Sequence, residues 1–135
     1  MLTGRCECGQ VSFEVEEDSI RETVTACHCS QCRRLSGHVW ASTHAPMNKV
    51  TFTCEEGLTW YQSSSWARRG FCRFCGSNLF YQENDEDGIG ISAGCLDQTT
   101  DLRLAKHIFV ADKGDYYALD DNLPHYEAGT APKPG

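Results

Sequence analysis

Apolar and polar positions alternate along much of this chain. In "QVSFEVE" Val11, Phe13 and Val15 fall on one face of an extended segment, and in "KVTFTCE" Val50, Phe52 and Cys54 do the same. Side chains of a strand alternate between its two faces, so this period of two predicts half-buried strands. "LTWYQ", "NLFYQ", "GIGISAG" and "KHIFVA" are further short runs rich in aromatic and β-branched residues, and they too are predicted as strands. Only "SQCRRLSG", residues 30–37, reads as a helical turn. Loops are marked by "EEG" at 55–57, "ENDEDG" at 83–88 and "DKGD" at 112–115. The expected fold class is mainly β with few short helical turns. A length of 135 residues fits one domain, and "AGTAPKPG", 128–135, is predicted as a loosely held C-terminal tail.

A weak repeat interrupts the alternation. "CECGQVSF" (6–13) and "CRFCGSNLF" (72–80) each run cysteine pair, glycine, then strand. Gly9 and Gly76 directly follow the second cysteine, where a tight turn with positive φ suits glycine. Such a knuckle turns two sulfurs toward one point, and two knuckles can serve one ion.

Composition narrows the function classes. Twelve Lys and Arg against nineteen Asp and Glu give a net charge of −7. Phosphate binding wants a basic face, so a nucleic-acid partner is disfavoured, as is an anionic membrane surface. The first residues hold no long apolar run, and no stretch approaches a transmembrane helix in length. Nine cysteines is a high count. An odd number, clustered at short spacing and without an export signal, points to metal ligation in a reducing cytoplasm rather than to a secreted disulfide framework.

The nine divide as four, three and two. Cys6, Cys8, Cys72 and Cys75 make a closed four-thiolate set whose metal would contribute folding free energy directly. The competing reading of Cys72 and Cys75 is a redox C-x-x-C pair, but no βαβ pattern surrounds them. Cys27, Cys29 and Cys32, in "CHCSQC", form a local three-thiolate cluster. Catalytic zinc sites keep three protein ligands and an open position. Alternatively, His28, His38, His44 or Cys95 completes a second structural site. Cys54 is expected to be a buried small apolar residue, and packing is also the favoured role of Cys95.

Three thiolates neutralise much of a metal's charge, so such a site is a weak activator of water. It is better suited to holding a fourth thiolate, which keeps nucleophilicity. That logic favours a thiol substrate and chemistry at the carbon attached to its sulfur. Arg33 and Arg34 follow the cluster, and Arg68 and Arg69 precede the second knuckle. Guanidinium groups there could bind the carboxylates of a small peptide thiol; surface charge is the plainer alternative.

"GRCECGQVSFEV", "ACHCSQCRRLSGH", "GFCRFCGSNL" and "AKHIFVADKGDYYALDDNLPHYEAG" together resemble the successive motifs of the glutathione-dependent formaldehyde-activating enzyme family, which also includes centromere-protein-V-like proteins. The resemblance spans residues 2–127. It implies a β-tent of coiled antiparallel sheets with zinc-ribbon-like knuckles. It implies two zinc ions per chain: a structural one on Cys6, Cys8, Cys72 and Cys75, and a catalytic, more labile one on Cys27, Cys29 and Cys32. The activity it implies is that of a carbon–sulfur lyase joining formaldehyde to glutathione as S-hydroxymethylglutathione; Arg33 and Arg34, read from their place beside the cluster, are the substrate-binding candidates. Where the family often carries a tryptophan near the C-terminal end, this chain has Tyr116 and Tyr117. The other classes to be weighed are a non-catalytic zinc-stabilised binding module and a thiol redox protein using Cys54 or Cys95.

Overall fold

The computed structural model describes residues 1–97 and 99–129. Among these residues the fold is mainly β, with one α-helix and sheets that do not close. Backbone packing divides the chain into two compact units, each built from two stretches of sequence. The first comprises residues 1–22 and 42–101, the second residues 23–41 and 102–135.

In the first unit β1 (Leu2–Arg5), β2 (Ser12–Val15) and β5 (Val50–Cys54) form a three-stranded antiparallel sheet in the order β1-β2-β5. The register sets Phe13 opposite Phe52 and Val15 opposite Val50, so the alternation seen in the sequence becomes one apolar face. A second set of strands runs β4 (Trp40–Pro46), β9 (Gly88–Ser92), β8 (Asn78–Glu83), β7 (Ala67–Cys72) and β6 (Leu58–Gln62), all antiparallel; β4 pairs with β9 from Ser42 onward. Phe13, Phe52 and Phe80 meet edge to face, Phe13 and Phe80 with ring centroids 5.2 Å apart. Around them lie Val11, Val15, Leu79, Ile89 and Ile91, all fully buried. Cys6 and Cys72 belong to this same core, so two of the first unit's four metal-ligand candidates sit in its hydrophobic centre while the other two, Cys8 and Cys75, are exposed.

In the second unit β3 (Thr23–Cys27) and β10 (Arg103–Ile108) pair in parallel, with His107 beside Ala26 and Ile108 beside Cys27. This departs from the all-antiparallel expectation. The intervening chain, some 75 residues long on the sequence, is far more than a hairpin and so permits a parallel return. The segment after β10 folds back along it: His107 N–H donates to Pro124 O at 3.0 Å and Tyr126 N–H to His107 O at 3.0 Å. α1 (Ser30–Ser36) starts at Cys29, whose sulfur accepts the Cys32 N–H, and stops at Gly37, whose left-handed backbone returns its N–H to Arg33 O.

The strands read from alternation are all present, within a residue or two, except that "KHIFVA" ends at Ile108, because Phe109 takes a left-handed backbone conformation. Four strands carry too little apolar signal to be read: β1, β3, β4 and β7. β7 holds two arginines. Arg68 lies 3.9 Å over the Trp60 ring and bonds Gln82 through two nitrogens, and Arg69 is buried over Tyr81. Cation–π contacts let these charges sit in a sheet, and they commit both side chains within the first unit. Cys54 is half-buried rather than buried, its thiol reaching Gln10 O at 3.4 Å. Cys95 packs against the core, as expected. The predicted tail lies mostly outside the described residues.

Candidate metal centres

The two knuckles of the first unit use one hydrogen-bond scheme. Cys6 N–H donates to Val11 O at 2.9 Å and Cys72 N–H to Ser77 O at 3.0 Å, five residues ahead in each case. Gly9 N–H closes back on Cys6 O and Gly76 N–H on Cys72 O. Gly9 and Gly76 have φ of 85° and 80°, so the positive-φ turn expected after each second cysteine is present. The knuckles bring Cys6, Cys8, Cys72 and Cys75 together, with all four sulfurs within 4.8 Å of one another. Cys6 and Cys8 sulfurs are 3.7 Å apart, as are those of Cys8 and Cys72. Four sulfurs each about 2.3 Å from a zinc ion lie roughly 3.8 Å apart, so the donor set fits tetrahedral zinc closely.

Charge is unevenly shared in this group. The Ser77 hydroxyl, 3.3 Å from Cys75 Sγ, holds that thiol down to about 5. Cys8 feels the Gln10 backbone N–H pulling its thiol down, yet desolvation and the sulfurs of Cys6, Cys72 and Cys75 push it up to about 12. Neighbouring thiols cannot all ionise without a cation between them. The redox reading of Cys72 and Cys75 finds no support here, since both belong to a four-sulfur group.

In the second unit Cys27 ends β3, Cys29 caps α1 and Cys32 lies in its first turn. Their sulfurs also lie within 4.8 Å of one another, and among the described residues no fourth His, Cys, Asp or Glu ligand atom joins them. Cys32 is buried, Cys27 and Cys29 half-buried. The Cys29 thiol is held at about 2 by the Cys27 and Cys32 thiols and by the N–H groups of Cys32 and Gln31, against the opposing effect of burial. Cys27 is pushed far above the usual thiol range by its Cys29 and Cys32 neighbours and by burial. The Cys29 thiolate thus forms readily while Cys27 resists ionising, the uneven sharing expected of neighbouring sulfurs with no cation between them.

None of the four residues considered as a completing ligand has an atom in this group. His28 bonds Tyr117 through Nδ1 and His107 through Nε2. His38 Nδ1 lies 2.6 Å from the Tyr116 hydroxyl. His44 and Cys95 belong to the first unit. Arg33 and Arg34 stand on α1; Arg34 is exposed, while the Nε of Arg33 is buried with no hydrogen-bond partner. Sequence reasoning did not find the bonded set Tyr117, His28, His107 and Asp121. No spacing links residues so far apart, and the only cue was a histidine between two cysteines.

A mainly β chain with a closed four-thiol group and a separate three-thiol group is a candidate two-metal protein. The profile of the family described as "Glutathione-dependent formaldehyde-activating enzyme" matches residues 1–112. The chain belongs to that family. It is 26% identical over 121 residues to an uncharacterized lyase of Schizosaccharomyces pombe (strain 972 / ATCC 24843), covering 84% of this chain and 82% of that protein. It is also similar to a Rhodobacter sphaeroides protein whose crystal structure is a structural-genomics target, with a TM-score of 0.62 at 26% identity, over 76% of this chain and 99% of the other. Family and relative together point to a glutathione-related, lyase-like function, and the cysteine groups are compatible with metal binding. Among the described residues no helix is long and apolar enough to cross a membrane.

Proposed function

We propose that this protein is a cytoplasmic zinc-dependent carbon–sulfur lyase acting on the adduct of a small thiol and an aldehyde, glutathione and formaldehyde being the reference pair. The observation that carries the reading is the convergence of Cys27, Cys29 and Cys32 with no fourth protein ligand among the described residues. Family membership supports the substrate pair, and the lyase name of the yeast relative supports the reaction class.

In the synthetic direction the thiolate sulfur attacks the carbonyl carbon of formaldehyde. A carbon–sulfur bond forms, the carbonyl π bond breaks, and the resulting alkoxide takes a proton. The reverse reaction breaks the same bond. Zinc at the three thiols would supply a fourth position that keeps the incoming thiol deprotonated. The chain contributes position: Cys29 as helix cap and Cys27 as strand end hold the sulfurs convergent, so bond formation is not left to chance encounter. Arg33, with its buried and unpartnered Nε, is proposed to hold a substrate carboxylate, and Arg34 to steer it from the exposed side of α1. The closed group of Cys6, Cys8, Cys72 and Cys75 is proposed as the structural zinc site.

The test is metal counting joined to an exchange assay. Two zinc ions per chain, with thiol–formaldehyde exchange above background by two-dimensional NMR, support the enzyme. One firmly held zinc and background exchange with glutathione, cysteine and other common thiols would favour the binding-module reading.

A further inference from the structure

His28 stands between two of the three thiols of the proposed reaction centre, and its side chain is 1% exposed. Alternation along an extended chain turns Cys27 and Cys29 to one side and His28 to the other. Three bonds fix it there. Its N–H donates to Ile108 O at 3.0 Å. Its Nδ1 meets the Tyr117 hydroxyl, and its Nε2 lies 2.8 Å from His107 Nδ1. His107, itself 4% exposed, reaches Asp121 Oδ2 through Nε2 at 2.7 Å.

The direction of this chain of bonds follows from its end. A carboxylate only accepts. Asp121 accepts the Leu123 N–H at 3.1 Å as well, and the two donors hold its carboxyl below the usual range. His107 therefore carries its proton on Nε2, and its Nδ1 accepts. His28 then carries its proton on Nε2, and its own Nδ1 accepts the Tyr117 hydroxyl. Every buried polar atom of the two rings is satisfied in one arrangement, from a surface carboxylate to a phenol.

A three-thiol site has no fourth protein ligand to lock its geometry. Cys29 and Cys32 are joined by α1, but Cys27 is joined to them only through the backbone at residue 28. We propose that the chain Asp121–His107–His28–Tyr117 bolts that backbone in place, making Asp121 and His107 positioning residues that keep the Cys27, Cys29 and Cys32 sulfurs convergent. This rests on the reading of the three thiols as a metal site.

The experiment uses the zinc-loaded full chain, challenged with a chromophoric chelator, with ring nitrogens followed by ¹⁵N NMR. Cys29→Ser identifies the ion of the three-thiol site by its loss. Both rings should be Nε2–H tautomers in the wild type. Asp121→Ala and His107→Phe should hold that ion about 10–100-fold more weakly and leave the four-thiol ion unchanged. Asp121→Asn can keep the Leu123 bond through its oxygen while presenting N–H to His107, which reverses the chain. Both rings should then become Nδ1–H, with zinc retained within about threefold, since every bond is still made. Wild-type retention in Asp121→Ala and His107→Phe overturns the inference. Rings unmoved in Asp121→Asn, or zinc lost there with rings switched, overturn it too. Should His107→Phe not fold, Asp121→Ala at the exposed end decides. A wild type holding a single zinc removes the metal reading and the inference together; two zincs with unaffected variants removes the inference alone.

Discussion

The sulfurs of Cys8 and Cys72 lie 3.7 Å apart although 64 residues separate them. That pair ties the start of the first unit to the end of β7, and Cys72 is at the same time part of the hydrophobic core. The structural zinc proposed there would stabilise by about 10–16 kcal/mol if it acts as in small zinc domains, as much as the whole net stability of a typical domain. Cys72→Ala is expected to leave the chain insoluble or without a cooperative thermal transition. Wild-type melting in soluble Cys72→Ala protein would remove the structural role.

Gly57 guards the same thiol from the other side. A β-carbon at Gly57 would sit 2.6 Å from Cys72 Sγ and 3.3 Å from Gln10 Cβ. The backbone cannot back away easily, because Gly57 N–H donates to Gln10 O and Arg73 N–H to Gly57 O, each at 2.8 Å. Gly57→Ala should cost about 1–3 kcal/mol, the range for overpacking, and loosen the four-thiol ion. Gly94→Ala, with no atom near its new methyl, is the control and should change stability by less than about 0.5 kcal/mol. Equal melting temperatures for the two variants would contradict the crowding at Cys72.

Cys29→Ser separates chemistry from folding. A serine hydroxyl can still accept the N–H of Cys32 and cap α1, but it does not form an anion near neutral pH. The variant should lose one zinc, keep a melting temperature within a few degrees of wild type, and exchange thiol and formaldehyde at the background rate. Exchange at wild-type rate in this variant would rule out the three-thiol site as the reaction centre.

Arg33→Ala tests the proposed carboxylate contact. A hydrogen bond to a charged group is worth about 1.5–3 kcal/mol, so KM for glutathione should rise roughly 10–100-fold while a thiol without carboxylates, such as 2-mercaptoethanol, is unaffected. An equal change for both thiols would assign Arg33 to the fold instead.

Burial, then the positive charge that His107 would carry, push the His28 imidazole down to about 4 from its ordinary 6.5. The folded state therefore prefers neutral His28, while an unfolded chain takes up a proton near 6.5. Stability from this group is complete above that value and is lost as pH falls toward 4. NMR titration should find His28 neutral at pH 5.5. Half-protonation near 6.5 would show that its ring is not sealed as described.

Much of this was legible in sequence for a local reason. Cysteine spacing of one or two residues, with glycine after Cys8 and Cys75, favours a knuckle by steric rules that act within a few bonds, and the C-x-C-x-x-C run from Cys27 to Cys32 is itself local, so the candidate metal ligands could be read from spacing. Alternation likewise marked strands with a clear apolar face, such as those of Val11 to Val15 and Val50 to Phe52. What only the tertiary structure decided is what long-range pairing decides. β7 became a strand because Trp60 and Tyr81 cover two arginines. β3 and β10 became parallel neighbours across most of the chain. That pairing placed His107 beside the C-H-C turn and engaged His28 away from the sulfurs. A histidine between two candidate ligands has the chemistry to bind metal; its ring direction depends on partners 79 and 89 residues away, and no local pattern encodes them.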